Sequence, residues 1–186
     1  CDTSSTDIPL KQKENLKVYK DLKGSMGRLF IKEYPANFPT VNTLRAHLEK
    51  LQLAKNFKPD VILIDYADIM RSTHRYDSLR HELKLVYEEL RGWASEMEAP
   101  IWTASQTNRD GSDHEIVELK NISEAYGKAM VADVVLSISR KLSDKANNMG
   151  RLHVAKNRAG RDGLVYNVEI DTSKSKFKVV SEYSTA

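Results

Sequence analysis

From Arg75 to Glu98 the apolar residues Leu79, Leu83, Val86/Tyr87, Leu90, Trp93/Ala94 and Met97 recur every three or four positions, the strongest period in the chain. That spacing predicts a long amphipathic helix whose apolar stripe must be buried against something. The segments on either side supply it. Val61-Ile-Leu-Ile64, bounded by Pro59 and polar residues, is a run of four β-formers and reads as a strand buried on both faces, the habit of a parallel sheet. Pro100 introduces a second such strand, Ile101 to Ser105. Strand, helix, strand is the repeating unit of α/β proteins.

The rest of the chain extends this pattern. Lys11 to Leu22 reads as a helix, with Gly24 and Gly27 after it, and Arg28 to Tyr34 is a β-rich run that Pro35 ends. Leu44, Leu48 and Leu51 predict a helix capped at Thr43 and ending near Phe57-Lys58-Pro59. A polar loop from Thr107 to Lys120 leads to a short helix over Asn121 to Met130. Strands follow at Asp133 to Ser139, Arg151 to Lys156, Leu164 to Asp171 and Phe177 to Tyr183, the later ones joined by short turns such as Gly160-Arg-Asp-Gly163. The expected fold is α/β, a mostly parallel sheet flanked by helices with an antiparallel C-terminal edge. Residues 1–26 form a loose start with one helix, and 27–186 one continuous unit.

Composition narrows the function classes. With 186 residues, 40% hydrophobic and 30% charged, the chain suits one water-facing domain. No apolar run approaches the roughly 20 residues of a membrane span. The single cysteine, Cys1, excludes an internal disulfide and a Cys-rich metal cage, and fits a reducing cytoplasm. Because the sequence opens on Cys1 and not on methionine, it reads as a piece of something longer. The net charge of +3 announces nothing by itself, but Arg140 to Arg161 holds seven basic residues against one acid, Asp144. Such a run is either a solvated face or a phosphate tracker. The five histidines show no metal-ligand spacing, and Trp93 and Trp102, in apolar-patterned segments, read as packing residues.

Ligands of open α/β sheets gather at the carboxyl ends of strands. There the chain places Asp65, Gln106, and the pair Lys156 and Arg158. An acid, an amide and two cations suit a magnesium-bound nucleoside triphosphate: the acid holds the metal's water shell, and the others sense or neutralise the γ-phosphate. Each also has a plainer use, as a turn cap for Asp65, a loop hydrogen bond for Gln106 and a charged strand edge for Lys156 and Arg158. The phosphate-binding run Gly-x-x-x-x-Gly-Lys-Ser/Thr is absent from the eight glycines, and Gly127-Lys128-Ala129 is its nearest approach.

Several stretches carry a resemblance. Gly27-Arg-Leu-Phe-Ile-Lys-Glu-Tyr-Pro35, Asn42-Thr-Leu-Arg45, Lys55-Asn-Phe57, Val61-Ile-Leu-Ile-Asp-Tyr66 and Ile101-Trp-Thr-Ala-Ser-Gln106 resemble the replicative helicases of T-even-type phages. Ser105-Gln-Thr-Asn-Arg109, Ala132-Asp-Val-Val135 and Ala155-Lys-Asn-Arg158 with Gly160 and Gly163 are similar to the bacterial DnaB relatives. The resemblance implies a RecA-like motor domain of a DnaB-family hexameric helicase that uses ATP and Mg2+, moves on single-stranded DNA as a ring of identical subunits, and partners a primase in the cytoplasm. It implies Asp65 as the Walker B acid, Gln106 as the sensor, and Lys156 and Arg158 as groups reaching into the neighbouring subunit's ATP, idle within one subunit. The loop from Glu124 to Lys128 would line the DNA channel, although Tyr126 and Gly127 depart from the family's usual loop. The family's P-loop and catalytic glutamate precede the Walker B strand, so this chain is expected to be inactive alone. A RecA-like recombinase or regulatory ATPase, and a P-loop-less DNA-binding or interaction module, are the rival readings.

Overall fold

The computed structural model describes residues 12–22, 24–25, 27–74, 78–106, 116–119 and 126–183. Its elements are α1 (Gln12–Leu22), α2 (Val41–Lys55), β1 (Ile62–Ile64), a 3-10 turn (Ala67–Ile69), α3 (Leu79–Met97), β2 (Ile101–Thr103), α4 (Tyr126–Val131), β3 (Val134–Ser139), α5 (Leu142–Ala146), β4 (Met149–Asn157), β5 (Val165–Asp171) and β6 (Lys176–Glu182).

The periodic stripe organises the core as its spacing demands. Val86, Leu90 and Trp93 of α3 are buried together with Val41 and Leu48 of α2 and Ala67 and Met70 of the 3-10 turn. Ile62 and Ile64 of β1 and Ile101 of β2 pack against them. An ion pair between Arg45 and Glu96 ties α2 to α3, and the Arg45 guanidinium lies 6.0 Å from the centre of the Trp93 ring. The cap of α2 is Thr40, not Thr43. Thr40 has the extended backbone a cap needs, its hydroxyl accepts the Thr43 N–H at 3.2 Å, and the Thr43 hydroxyl accepts the Thr40 N–H in return.

β1 and β2 pair in parallel, with Leu63 opposite Trp102. The expectation of a strand buried on both faces is corrected here. Ile62 and Ile64 face α2 and α3, but Leu63 is 72% and Trp102 49% exposed, because helices cover one face only. Trp93 is a packing residue, while Trp102 stands on the open face. The remaining strands form an antiparallel sheet in the order β3-β4-β5-β6, so among the described residues the parallel pairing is that of β1 and β2.

Arg28 to Tyr34 is extended but joins neither sheet. Its side chains are held instead by the end of α2: Arg28 donates to the carbonyls of Lys55 and Asn56 at 3.2 and 3.0 Å, and Phe30 lies 4.5 Å, centre to centre, from the Phe57 ring. Helix α5, not foreseen in the sequence, starts where Asp144 accepts the Lys141 N–H at 2.8 Å. Asp144 also receives Arg151 of β4 at 2.7 Å, so part of the basic run is neutralised internally. Gly150 of β4 has a steric reason: a Cβ there would stand 2.9 Å from side-chain carbons of Arg140 and Ile170.

Leu90→Ala removes a buried side chain from the α3 stripe and should cost about 2–5 kcal/mol in urea denaturation. A second prediction concerns Asp144. Burial opposes its ionisation, but the Lys141 N–H and the Arg151 guanidinium outweigh it and hold the carboxyl below the usual range. Stabilisation by this group is therefore complete above the ordinary carboxylate pKa near 4 and fades as pH falls through the lower folded value. Asp144→Asn should cost about 1 kcal/mol at pH 7, with the gap to the native chain closing as pH falls below the ordinary carboxylate range; a pH-independent gap would contradict the pairing.

Candidate functional site

The carboxyl ends of β1 and β2 lie side by side because the strands are parallel and in register. Asp65, exposed, directly follows β1, and its peptide bond to Tyr66 is cis. Gln106, also exposed, follows β2, and its amide donates to the Tyr66 hydroxyl at 3.0 Å. The structure thus brings Asp65 and Gln106 to one strand edge, as the sequence leads one to expect.

Behind this edge lies a polar cluster that the sequence reading missed. Asp68, in the 3-10 turn, receives the Tyr87 hydroxyl at 2.8 Å, the Ser105 hydroxyl at 2.9 Å and the Lys128 ammonium at 2.9 Å. Lys128 also reaches the Ser105 oxygen at 3.4 Å and lies 5.8 Å from the centre of the Tyr87 ring. Burial, reinforced by the Asp68 carboxylate, pushes the Tyr87 hydroxyl far above its ordinary pKa, so it remains a donor. Its signal in the sequence was faint: a polar-tipped ring within the α3 stripe, and a lysine next to Ala129-Met130-Val131.

The cluster separates two acids. Asp68 accepts from three donors, whereas Asp65 is exposed. A single exposed carboxylate beside an amide fits Mg2+, which keeps most of its water and binds through one or two acids plus phosphate oxygens. Asp65 is the residue that would hold it.

Lys128 is only 4% exposed. The family resemblance placed it on a DNA channel; in the structure its ammonium faces the Asp68 carboxylate, 15% exposed, instead of solvent. Glu124 lies outside the described residues. Lys156 lies in β4 of the other sheet, which pairs with β3 and β5, and Arg158 just follows it, so neither shares a strand neighbourhood with Asp65. Nor are they idle. The Lys156 ammonium donates to the carbonyls of Ala129 and Met130 in the last turn of α4, at 2.8 and 3.0 Å. Burial and then the nearby Arg158 charge lower its pKa. Arg158 pairs with Asp133 at 2.7 Å, and Arg91 of α3 shares that carboxylate at 2.9 Å while donating to the Val131 carbonyl at 2.6 Å. Helix α4 is what the two groups have in common: Lys128 joins it to the Ser105-Gln106 side, and Lys156 holds its other end.

A cavity of about 690 Å³ lies between residues 28–36 and 57–66. Its walls include Leu48, Phe57, Ile62, Trp93 and Asp65; Arg28 is held by carbonyls, Lys32 lies 5.5 Å from the centre of the Tyr34 ring, and Lys58 makes an exposed pair with Glu98 at 3.8 Å. No group of three or more metal-ligating side chains occurs among the described residues, and none of the described helices is long and apolar enough to cross a membrane.

A family model, the DnaB-like helicase C terminal domain, matches residues 5–179. The chain is 35% identical over 119 residues to a DnaB-like replicative helicase of Enterobacteria phage T4, covering 62% of this chain and 25% of that protein. It is 30% identical over 134 residues to a probable plasmid replicative DNA helicase of Chlamydia trachomatis serovar L2, covering 70% of this chain and 28% of that protein. The chain therefore spans about a quarter of the length of these curated relatives. Among solved structures it resembles an ATPase domain, with a TM-score of 0.64 at 18% identity over 74% of this chain and 50% of that one. It also resembles a DnaB-like replicative helicase described with its primase interactions, with a TM-score of 0.61 at 19% identity over 74% of this chain and 35% of that one. These likenesses establish a RecA-like α/β fold.

The two cations at the β4 end should separate energetically. Lys156→Met leaves helix carbonyls without their donor and should cost about 1–2 kcal/mol in urea denaturation. Asp133→Asn breaks only exposed pairs and should cost no more than about 1 kcal/mol. The reverse order would show that Lys156 does not anchor α4.

Proposed function

The chain belongs to the DnaB-like helicase C-terminal domain family, and from that premise we propose that it is the γ-phosphate-sensing portion of an ATP-dependent replicative DNA helicase motor. In this reading Asp65 holds Mg2+ through its water shell, and Gln106 senses the γ-phosphate. Lys156 and Arg158 act on the nucleotide of an adjacent identical subunit in a hexameric ring. The bound Mg2+ supplies neutralisation of phosphate charge. Arg158 would stabilise the negative charge that builds on the transferring phosphoryl group.

The observation that carries the reading is that Asp65 follows β1 and Gln106 follows β2 at the same end of a parallel pair, with Asp68 nearby already accepting from three donors. An exposed acid and an amide sensor remain where a triphosphate can approach. The exposed Arg158–Asp133 pair supports the trans role, because exposed ion pairs are worth at most about 1 kcal/mol and exchange readily. Single-stranded DNA is the proposed track. The segment containing Glu124 and the basic run Arg140 to Arg161, apart from Lys156, Arg158 and the Asp144-paired Arg151, are the groups proposed to meet its backbone, with Lys128 left in its pair with Asp68. A primase is the proposed partner, in line with the solved relative described with one. The cytoplasm is the proposed compartment, that of the host if the gene is a phage's.

The test uses the complete open reading frame that encodes this chain. ATP turnover should be stimulated by single-stranded DNA, and Arg158→Ala should lower it by about 10³-fold or more. Mixing Arg158→Ala subunits with Asp65→Ala subunits should restore part of the turnover, since some interfaces then combine an intact Asp65 with an intact Arg158. Unchanged turnover in Arg158→Ala, or mixing without recovery, contradicts the trans role. Filaments in place of rings would favour the recombinase reading. The 186-residue chain, with no Gly-x-x-x-x-Gly-Lys-Ser/Thr run, should not turn over ATP alone.

A further inference from the structure

We propose that Lys128 is a positioning residue that couples the Lys156/Arg158 end of the molecule to Gln106 through α4. The proposal's functional meaning rests on the reading of Gln106 as a sensor; its structural content does not.

Helix α4, described over Tyr126–Val131, is held by tertiary contacts on both sides. At its start, Lys128 donates to Asp68 at 2.9 Å and to the Ser105 hydroxyl at 3.4 Å, and Ser105 is the residue before Gln106. At its finish, the carbonyls of Ala129 and Met130 receive the Lys156 ammonium, and Val131 receives Arg91. A movement of Lys156 thus pulls directly on the backbone next to Lys128, and Lys128 transmits it to Ser105. Arg158, two residues beyond Lys156, is tied to the same region through Asp133.

The buried end of this connection is the stiff one. Lys128 is 4% and the Asp68 side chain 15% exposed, and Asp68 has two further donors, Tyr87 and Ser105, fixing its orientation. Removing one partner from a buried pair strands the other charge, so the pair does not open casually. The other end, at Arg158 and Asp133, is half-exposed and able to exchange. A stiff link on the sensor side and a labile one on the cation side is the arrangement by which an event at Arg158 could alter Gln106.

Spatial intermediacy is not coupling, and a double-mutant comparison decides. The 15N-labelled chain is compared by NMR as the native form, Lys156→Met, Lys128→Met, Ser105→Ala and the two doubles with Lys156→Met. The reporter is the Gln106 backbone amide, with Leu48 and Val168 as core controls. Lys156→Met should move the Gln106 resonance, and that displacement should fall by roughly half or more in the Lys128→Met and Ser105→Ala backgrounds, with the controls unmoved. Ser105→Ala keeps the Asp68–Lys128 pair, so it serves if Lys128→Met does not fold. A Gln106 resonance indifferent to Lys156→Met, or displaced equally in the Ser105→Ala background, overturns the proposal. Since no nucleotide enters the experiment, this result stands apart from the ATP-turnover test of the helicase reading.

Discussion

One apolar stripe on one helix fixes where nearly everything else in the first half of the molecule can be. Val86, Leu90 and Trp93 on α3 form a surface that α2 and one face of the β1-β2 pair can cover together, and the 3-10 turn after β1 closes the gap with Ala67 and Met70. Because the same turn carries Asp68, the packing that buries Ala67 also sets a carboxylate against Tyr87 on the α3 face. The position of the polar cluster is therefore a consequence of the apolar one.

This ordering explains why an ion pair is tolerated inside. Isolated buried charges are expensive, and a buried pair is seldom better for stability than apolar side chains of the same size. Asp68 meets that cost with three donors drawn from α3, β2's trailing residue and α4. What such a cluster provides is definition: four segments distant in sequence are fixed to one atom pair, immediately behind the Asp65-Gln106 edge. Stabilisation of the fold comes from the α3 stripe, and the register of the edge from Asp68.

The sequence was informative where structure is local. Periodicity located α2 and α3, β-former runs located β1 to β6, and the turn around Gly160 to Gly163 separated β4 from β5. Placing Asp65 and Gln106 together needed only the rule that parallel strands end on one side. What sequence alone did not disclose depends on partners far along the chain. Arg28 to Tyr34 has strand composition, yet its docking onto the end of α2 leaves its backbone outside both sheets. Thr43 and Thr40 both suit a cap by residue type, and only backbone geometry selects Thr40. The resemblance puts Lys128 on a DNA channel because nothing local reveals that it will pair with Asp68, far earlier in the chain. Leu63 and Trp102 have core composition but face outwards, since α2 and α3 cover a single face.

The two cations at the end of β4 illustrate how exposure sorts charges into fixed and exchangeable ones. Lys156 is partly buried and satisfied by two carbonyls at the negative end of a helix, partners that cannot move without α4. Arg158 shares the exposed Asp133 with Arg91, so losing Arg158 leaves that carboxylate still paired. An arginine whose partner keeps a second cation can leave at small cost, and a triphosphate offers it more negative charge than Asp133 does. Of the two residues, Arg158 is thus the freer to travel across an interface, and Lys156 would have to give up two helix carbonyls to join it.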